Sequence, residues 1–562
     1  MINSFNFNLL FIALLQICAV HCLREDYEQF QSAPVVTVQE GRLRGTTYNL
    51  VDRSTCYAFR GIPYARPPVG DLRFKAPLPP LPWNGVRDAR NFGDICVQYN
   101  STYQGSEDCL FLNIYTKSLR RHAKHSVMVY IHGGSYYEGS GDFFLPDFLM
   151  LHENIILITL NYRLDIPGFL SLDTPEVPGN AGMKDQVAAL RWIQNNIAQF
   201  GGDPNSVTIF GESSGASSVT YHMFSKMSTG LFHKVIAQSG VCTHDWAIGR
   251  DSKARAFRAG KLLGIETDNV DELLQYFRGL DANALTNLTF ATLTPDEMYR
   301  GLPEQFIPVV EKKFPGVEAF IDENPVNMLV EGKINRVPLL VGYNSGEGLV
   351  ILNDHLTKLD IYNREPSYYV QREVKEKISQ EQLIDFGDRI KRFYVGNRNI
   401  TQDDKNIIVD MLTDMHFSYN THRFVHLYTK LGEKAYLYWF NLVTDLNIIK
   451  IALGLTDLKG VSHADELWYL FYNYLNENSY AEQSRLRDIV FRVTKLWTNF
   501  AKTGRPTPDN SLGAIWQPYT TKGKEYYKID EPFALGHRLD KKRVKFWDKM
   551  YAEAGLPHIY SK

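Results

Sequence analysis

The most informative absences in this 562-residue sequence concern membrane spans, charge imbalance and cofactor motifs. Beyond residue 22 no stretch of eighteen uncharged apolar residues occurs, so we expect no transmembrane helix and no membrane anchor. The 61 basic and 63 acidic side chains nearly balance without a basic tail or stripe, which argues against a nucleic acid partner. Walker and dinucleotide glycine patterns and the H-E-x-x-H motif are missing, so the sequence predicts no nucleotide cofactor and no metal site.

Low-complexity tracts, internal repeats and long linkers are also lacking. Hydrophobic residues make up 44% of the chain and charged residues 22%, which is ordinary globular usage and enough for a large core. We therefore predict a single domain with long insertions over residues 23–562.

The N-terminal segment has the features of an export signal. Residues 9–20 (LLFIALLQICAV) form an apolar run too short to span a bilayer, and Val20 and Cys22 suit a cleavage site. We predict a signal peptide over residues 1–22 and a secreted, soluble product. Three sequons fit that compartment, and each is a candidate glycosylation site if it is exposed: Asn100, Asn287 and Asn399.

Removal of the signal peptide would leave four cysteines, which allow three full disulfide connectivities: Cys56, Cys96, Cys109 and Cys242. Cys96 and Cys109 are the natural pair, because they would close a short loop of about 14 residues. Cys56 lies in an apolar and aromatic context, which favours a buried free thiol.

Strands and helices alternate along the chain. Continuous apolar, β-branched runs at residues 127–131 and 155–160 are typical of strands buried on both faces of a mainly parallel sheet. Residues 183–200 repeat apolar positions every three or four residues, as an amphipathic helix does. Further strands are predicted at residues 207–210, 337–341 and 436–440, with a helical insertion over about 354–434. The pattern predicts an α/β fold with a large central sheet flanked by helices.

The strongest local motif is G-E-S-S-G at residues 211–215, which lies between a predicted strand and a helical segment. A strand-to-helix elbow that presents a serine has a strained backbone, and glycines two positions before and after it leave room for the neighbouring chain. That spacing selects Ser213. Around Ser214, the larger Glu212 and Ala216 would have to occupy the crowded positions.

A serine hydroxyl is a weak nucleophile at neutral pH, so it needs a histidine base and an orienting carboxylate. In folds with this elbow they follow the serine in the order acid, then histidine. His463 is favoured because its turn-like segment (GVSHADE) suits a loop beyond a strand end. Glu347 is the candidate acid because it follows a predicted buried strand, although a solvated turn glutamate is the alternative. His222 falls on the predicted helix after the elbow and is expected to point away from Ser213. His416, His422 and His426 fall in helix-like sequence and are expected to be surface or packing residues.

An oxyanion hole is the third requirement. The H-G-G-S segment at residues 132–135 follows a predicted strand, and its small residues let backbone N–H groups point at a developing negative charge. We predict that Gly134, Ser135 and Ser214 are the donors. His132 is not predicted to bind a metal, because no second histidine stands at ligand spacing.

Longer segments carry a specific resemblance: FRGIPYARPPVGDLRF, SEDCLFLNIYT, NYRLDIPGFLS, GNAGMKDQVAALRWIQ, FGGDPNSVTIFGESSGA, GVSHADEL and WTNFAKTGRPTP. Over nearly the whole mature chain, the sequence resembles the type-B carboxylesterase and cholinesterase family of α/β hydrolases, most of all insect carboxylesterases. The resemblance implies an α/β-hydrolase fold and a nucleophile, acid and base at Ser213, Glu347 and His463. It also implies the same three oxyanion donors, a Cys96–Cys109 disulfide, and an acyl-pocket tryptophan at Trp246.

The departures from the family pattern are informative. Ser135 stands where the family usually has glycine or alanine, and its side chain is expected to narrow the oxyanion hole while keeping the N–H. Cholinesterases carry a tryptophan for the choline cation in the first disulfide loop, and its absence here disfavours a cholinesterase. Juvenile hormone esterases typically have glutamine in place of Glu212, which weakens that specialised interpretation.

The sequence as a whole predicts a secreted, glycosylated serine esterase. It would hydrolyse small-molecule carboxylic esters through an acyl-enzyme, without a cofactor. The alternatives are a specialised juvenile hormone esterase, a binder of hydrophobic esters with slow turnover, and an adhesion or binding protein that has lost catalysis.

Overall fold

The computed structural model describes residues 33–303 and 306–560. The predicted signal peptide at residues 1–22 lies outside the described residues. None of the helices in the two described ranges is both long enough and apolar enough to cross a membrane.

The strands of the described ranges are short and mostly buried. They are β1 (Val35–Val38), β2 (Gly41–Arg44), β3 (Thr46–Asn49), β4 (Thr55–Pro63), β5 (Val86–Asp88), β6 (Gln98–Asn100), β7 (Thr102–Gln104), β8 (Phe111–Thr116), β9 (His125–Ile131), β10 (Ile155–Leu160), β11 (Gly202–Glu212), β12 (Lys234–Gln238), β13 (Leu339–Asn344), β14 (Ala435–Phe440), β15 (Glu525–Ile529) and β16 (Ala534–His537).

Eleven of these strands form one sheet, in the order β16-β15-β14-β13-β12-β11-β9-β10-β8-β4-β3. The strands from β15 to β10 in that order are parallel, and the pairings at both edges of the sheet are antiparallel. The carboxyl ends of β9, β11, β13 and β14 therefore open onto one edge, where α/β folds bind their ligands. The predicted large, mostly parallel central sheet is confirmed.

The central strand β9 shows why the sheet is covered on both faces. Successive side chains of a strand point to opposite faces. Val127, Val129 and Ile131 belong to one apolar core, while Met128 and Tyr130 belong to a second core. All of β9 is buried, as its continuous apolar run predicted.

The α-helices of the described ranges alternate with the strands and continue into a long insertion between β13 and β14. They are α1 (Asp165–Phe169), α2 (Ala181–Asn196), α3 (Ser214–Phe224), α4 (Ser252–Leu262), α5 (Val270–Gly279), α6 (Pro295–Tyr299), α7 (Pro325–Glu331), α8 (Leu349–Thr357), α9 (Leu359–Arg364), α10 (Arg372–Lys375), α11 (Gln380–Val395), α12 (Lys405–Thr413), α13 (Tyr419–Lys430), α14 (Ile448–Ala452), α15 (Glu477–Glu482), α16 (Ser484–Thr503) and α17 (Lys541–Glu553).

Helices pack on both faces of the sheet. Helix α2 contributes Met183 and Val187 to the first core, and α16 contributes Val493 and Trp497 to the second. The predicted amphipathic helix at residues 183–200 corresponds to α2 and the 3-10 turn that follows it. Both layers that a mainly parallel sheet requires are therefore present.

The insertion that follows β13 has an apolar core of its own. Leu352, Ile390 and Leu412 from α8, α11 and α12 pack together there with Trp547 from α17. This confirms the predicted helical insertion over about residues 354–434, which begins slightly earlier, with α8.

The cysteines pair as expected. Cys96 and Cys109 form a disulfide with their Cα atoms 4.8 Å apart, and Cys56 and Cys242 are buried free thiols. The loop closed by this disulfide contains the short antiparallel hairpin of β6 and β7.

Candidate active site

Ser213 lies at a sharp elbow between β11 and α3. Its backbone has φ 57° and ψ −122°, a conformation that side-chain-bearing residues rarely adopt. A Cβ on Gly211 would lie 2.5 Å from the carbonyl oxygen of Ile131, and a Cβ on Gly215 would lie 2.1 Å from the same oxygen. The motif therefore needs both glycines because the end of β9 passes directly against the elbow.

Glu347 and His463 are brought together although 116 positions separate them in the chain. His463 Nδ1 and Glu347 Oε2 are 2.6 Å apart. The carboxylate is fully buried, and its other oxygen accepts a hydrogen bond from the backbone N–H of Asn344 at 2.7 Å. The carboxyl group is therefore held from both sides, at the end of β13.

The second ring nitrogen of His463 lies beside Glu212, which the sequence did not indicate. His463 Nε2 is 3.0 Å from Glu212 Oε1, but the two are poorly aligned, and that oxygen accepts no hydrogen bond from any described residue. Nor do the described residues form a hydrogen bond between Ser213 Oγ and the imidazole. All three side chains line the same cavity, where such bonds often tighten only when substrate is bound.

A third buried carboxyl, Glu466, is close enough to His463 to act on it electrostatically. Gln238 Nε2 donates to Glu466 Oε1 at 3.1 Å, and the Asn344 side chain donates to the other oxygen. The carbonyl of Gln238 in turn accepts the backbone N–H of Ser213 at 2.8 Å. The elbow and the histidine loop are thus connected through buried polar groups.

These carboxyls perturb the protonation of His463. Burial disfavours its charged form, but the negative charges of Glu212 and Glu347 act the other way, and the net effect raises the pKa of His463. The pKa values of Glu212 and Glu466 are also raised, mainly because burial disfavours the charged carboxylate. Perturbed pKa values clustered around one cavity are typical of catalytic sites.

The segment after β9 forms a tight turn beside the elbow. Gly134 and Ser135 have φ values of 98° and 53°, and the second of these is unusual for a serine. A Cβ on Gly133 would lie 3.2 Å from the Cβ of Ser213, so the turn lies against Ser213. With Ser214 on the first turn of α3, the predicted donors lie on the two segments that flank the elbow.

The π-helical turn Asp414–Ser418 supplies another wall of the cavity. The indole N–H of Trp246 donates to the carbonyl of His416 at 2.8 Å, and the ring of Phe417 lies 4.7 Å from that of His463. All of these side chains line the cavity. Trp246 therefore lines the same cavity as Ser213 and His463.

The four histidines set aside on sequence grounds are all buried: His222, His416, His422 and His426. His222 bonds to Gln186 and Ser228, away from the reaction centre as predicted. His416, His422 and His426 were expected to be surface or packing residues, and their burial shows that they are not on the surface. His422 and His426 are packing residues, whereas His416 lines the cavity. Helical periodicity misses this because a π-helical turn holds an extra residue and rotates the exposed face.

The three sequons differ in exposure. Asn287 and Asn399 are exposed, whereas Asn100 is only 7% exposed and lines the cavity. A glycan requires an accessible amide, so Asn100 does not meet the condition of exposure on which its glycosylation was predicted. Asn287 and Asn399 remain compatible with modification.

The cavity that unites these residues has a volume of about 330 Å³, within the range of small-molecule sites. Among the residues that the structure describes, no group of three His, Cys, Asp or Glu side chains could hold a metal ion. The arrangement brings a serine on a strained elbow, a carboxylate-bound imidazole and a glycine-rich turn to one edge of the sheet, as in α/β hydrolases.

Comparison with known proteins agrees with this fold. The model of the carboxylesterase family matches residues 32–547. Esterase FE4 of Myzus persicae is 33% identical over 89% of both chains, and a carboxylic ester hydrolase of Bombus ignitus is 34% identical over 92% of this chain and 94% of its own. The crystal structure of juvenile hormone esterase from Manduca sexta, with OTFP covalently attached, superposes with a TM-score of 0.83 at 26% identity, covering 92% of this chain and all of that one.

The chain belongs to the carboxylesterase family and is a carboxylic ester hydrolase with the α/β-hydrolase fold. This confirms the resemblance inferred from the sequence motifs, including the likeness to insect esterases.

Proposed function

We propose that this protein is a secreted serine carboxylesterase that hydrolyses small-molecule esters through an acyl-enzyme. Ser213 is the nucleophile, His463 its base, and Glu347 the residue that orients the imidazole. The contact that carries this proposal is the 2.6 Å separation of His463 Nδ1 and Glu347 Oε2, in the same cavity as Ser213. A histidine held in this way presents Nε2 to accept a proton.

The reaction proceeds in two halves. His463 takes the proton of Ser213, whose oxygen attacks the ester carbonyl, and the backbone N–H groups of Gly134, Ser135 and Ser214 bind the oxyanion. The alcohol leaves with the proton from the imidazolium. Water, deprotonated by the same histidine, then releases the acid and restores Ser213. Glu347 stabilises the imidazolium in both halves.

Secretion is part of the proposal. The apolar segment at residues 9–20, the Cys96–Cys109 disulfide and the exposed sequons at Asn287 and Asn399 support it, because disulfides and N-glycans belong to the export pathway. We further propose that residues 23–562 form one domain. Release of the mature chain into the medium, with a mass shift on glycosidase treatment, would test this part.

Covalent labelling tests the nucleophile. An organophosphorus fluoride phosphorylates only an activated serine, so we expect one label per molecule, on the peptide that contains Ser213. Ser213→Ala should abolish labelling and lower kcat by roughly 10⁶. Ser511→Ala, at an exposed position, is the control and should retain both. Near-normal hydrolysis by Ser213→Ala, or absent labelling of the wild type, would favour a binding protein instead.

A second candidate is a specialised juvenile hormone esterase. The superposition on such an enzyme over all of its length favours it, whereas Glu212 in place of the usual glutamine argues against it. Turnover of a juvenile-hormone-like methyl ester, measured beside a panel of esters graded in acyl and alcohol size, separates a specialist from a general carboxylesterase. Burst kinetics with little steady-state turnover would indicate a sequestering binder.

A further inference from the structure

Gln238, the last residue of β12, bonds to three separate segments of the protein. Its backbone carbonyl accepts the N–H of Ser213 at the elbow, at 2.8 Å. Its side-chain nitrogen donates to Glu466 Oε1 at 3.1 Å, and its side-chain oxygen accepts the indole N–H of Trp497 at 3.0 Å. The residue is fully buried, so both ends of its amide are held within the protein.

Glu466 continues this connection into the histidine loop. It follows His463 by three residues, and its second oxygen accepts a hydrogen bond from the side chain of Asn344. The amide nitrogen of Asn344 also donates to the carbonyl of Ser462, the residue before His463, at 2.8 Å. The amide oxygen of Asn344 accepts no hydrogen bond from any described residue, so these two bonds set the orientation of the amide.

Asn344 also contacts the acid of the proposed triad. Its backbone N–H donates to Glu347 Oε1 at 2.7 Å, and the other oxygen of Glu347 contacts His463. A chain of polar contacts therefore runs from the elbow through Gln238 and Glu466 to Asn344 and on to the imidazole. The side chains of Gln238, Glu466 and Asn344 do not line the cavity, so they can act on a substrate only through the residues they hold.

We propose that Gln238 is a positioning residue for ester hydrolysis, whose amide holds the histidine loop in place relative to Ser213 by its contact with Glu466. The inference rests on the proposed function, in which His463 takes the proton of Ser213. Proton transfer depends on geometry, and a displacement of about 1 Å can lower a rate by roughly 100-fold. Because the same histidine serves both halves of the reaction, loss of the amide should lower kcat with little change in KM.

The first test removes the amide. Gln238→Met keeps the length of the side chain and leaves the indole N–H of Trp497 and one oxygen of Glu466 without their partner. We expect kcat to fall about 10-fold, with turnover expressed per active site as titrated with an organophosphorus fluoride. The titration separates a slower enzyme from a smaller folded fraction.

Gln186→Met is the matched control. Gln186 is as fully buried as Gln238, and its amide is also hydrogen-bonded at both ends, but its partners lie away from the reaction centre. This variant should lose stability and keep its kcat per active site. A purely structural role for Gln238 would give the same result in both variants.

The second test exchanges the amide and the carboxyl. In Glu466→Gln the new amide meets two N–H donors, from Gln238 and Asn344, and offers an acceptor to only one of them. In the double variant Gln238→Glu, Glu466→Gln, the glutamine donates to the glutamate and accepts from Asn344, and the glutamate still accepts the indole N–H of Trp497. We expect kcat to fall about 10-fold in Glu466→Gln and to return to within about 3-fold of the wild type in the double variant.

An unchanged kcat per active site in Gln238→Met overturns the proposal, and so does an equal fall in Gln186→Met. A folded double variant that recovers no activity over Glu466→Gln overturns it as well. If Gln238→Met shows no melting transition, Trp497→Phe takes its place, because it frees one end of the same amide. A fall of about 3-fold is then expected, and an unchanged kcat again overturns the proposal.

The wild type separates this inference from the function on which it rests. A wild type that takes no label and hydrolyses no ester rejects the esterase mechanism itself. A wild type that is labelled and turns over, beside variants with unchanged kcat, rejects the positioning role of Gln238 alone.

Discussion

Nε2 of His463 lies 3.0 Å from Oε1 of Glu212, on the far side of the ring from the 2.6 Å contact with Glu347. The imidazole is thus flanked by two buried carboxyl groups, one at each nitrogen. The contact with Glu347 holds the ring, and the nearby charge of Glu212 favours the protonated form of the imidazole.

Replacing Glu212 should therefore change the pH dependence. In the proposed mechanism His463 must be neutral to accept a proton, and the charge of Glu212 helps to raise the pKa of His463. Glu212→Gln removes that charge, so the pKa of His463 falls and the acid limb of the kcat/KM profile moves to lower pH. Glu318→Gln, a mostly exposed side chain, should leave the profile unchanged. An acid limb that stays in place in Glu212→Gln would show that the charge of Glu212 does not raise the pKa of His463.

Replacing Glu347 tests the orienting role. A glutamine can donate an amide N–H to Nδ1, which favours the imidazole tautomer that carries its proton on Nε2. In that tautomer Nε2 has no lone pair with which to accept a proton from Ser213. We expect Glu347→Gln to lower kcat by roughly 10³-fold or more. KM should change little, because the carboxyl does not line the cavity. Glu331→Gln, on the surface, serves as the control, and comparable rates for the two variants would exclude Glu347 from the mechanism.

The elbow glycines should tolerate no side chain. Gly215→Ala places a methyl group 2.1 Å from the carbonyl oxygen of Ile131, which requires movement of β9 or α3. We expect a loss of about 3 kcal/mol in the free energy of unfolding, with loss of most activity. Gly279→Ala, at the end of α5 with open space around it, should cost nothing. Equal melting temperatures for the two variants would contradict the close approach of β9.

Ser135 carries strain that glycine would relieve. Its φ of 53° lies in the left-handed region, where a Cβ costs about 1 kcal/mol relative to glycine. Ser135→Gly should raise the melting temperature slightly and increase kcat/KM several-fold for esters with bulky groups, while small acetate esters change little. A uniform gain across the ester panel would instead indicate a better oxyanion hole rather than a wider one.

Much of the scaffold was predictable because its causes are local. The strand at residues 155–160 follows from an uninterrupted apolar run, and its observed bounds agree with the prediction. The glycine spacing around Ser213 reflects backbone contact with Ile131, a constraint that only glycine satisfies. Glu347 was selected because it follows a buried strand, which is where the structure has it.

Other features depend on contacts between distant segments, which the sequence does not display. Glu212 and His463 are far apart in the sequence, so motif spacing could not predict that their side chains lie 3.0 Å apart. The sequon at Asn100 carries no information on burial, so the sequence could not show that this asparagine is buried. His416 was missed because the π-helical turn breaks the regular period of the surrounding helices.

The contact of the elbow with Ile131 has an evolutionary consequence. Main-chain atoms of two adjacent strands hold the elbow in place, whereas several residues that line the cavity come from the disulfide loop and the helical insertion. Substitutions in the disulfide loop and the helical insertion can therefore change the preference among esters without altering the elbow. The same scaffold can therefore acquire a different substrate preference while the geometry of its elbow is unchanged.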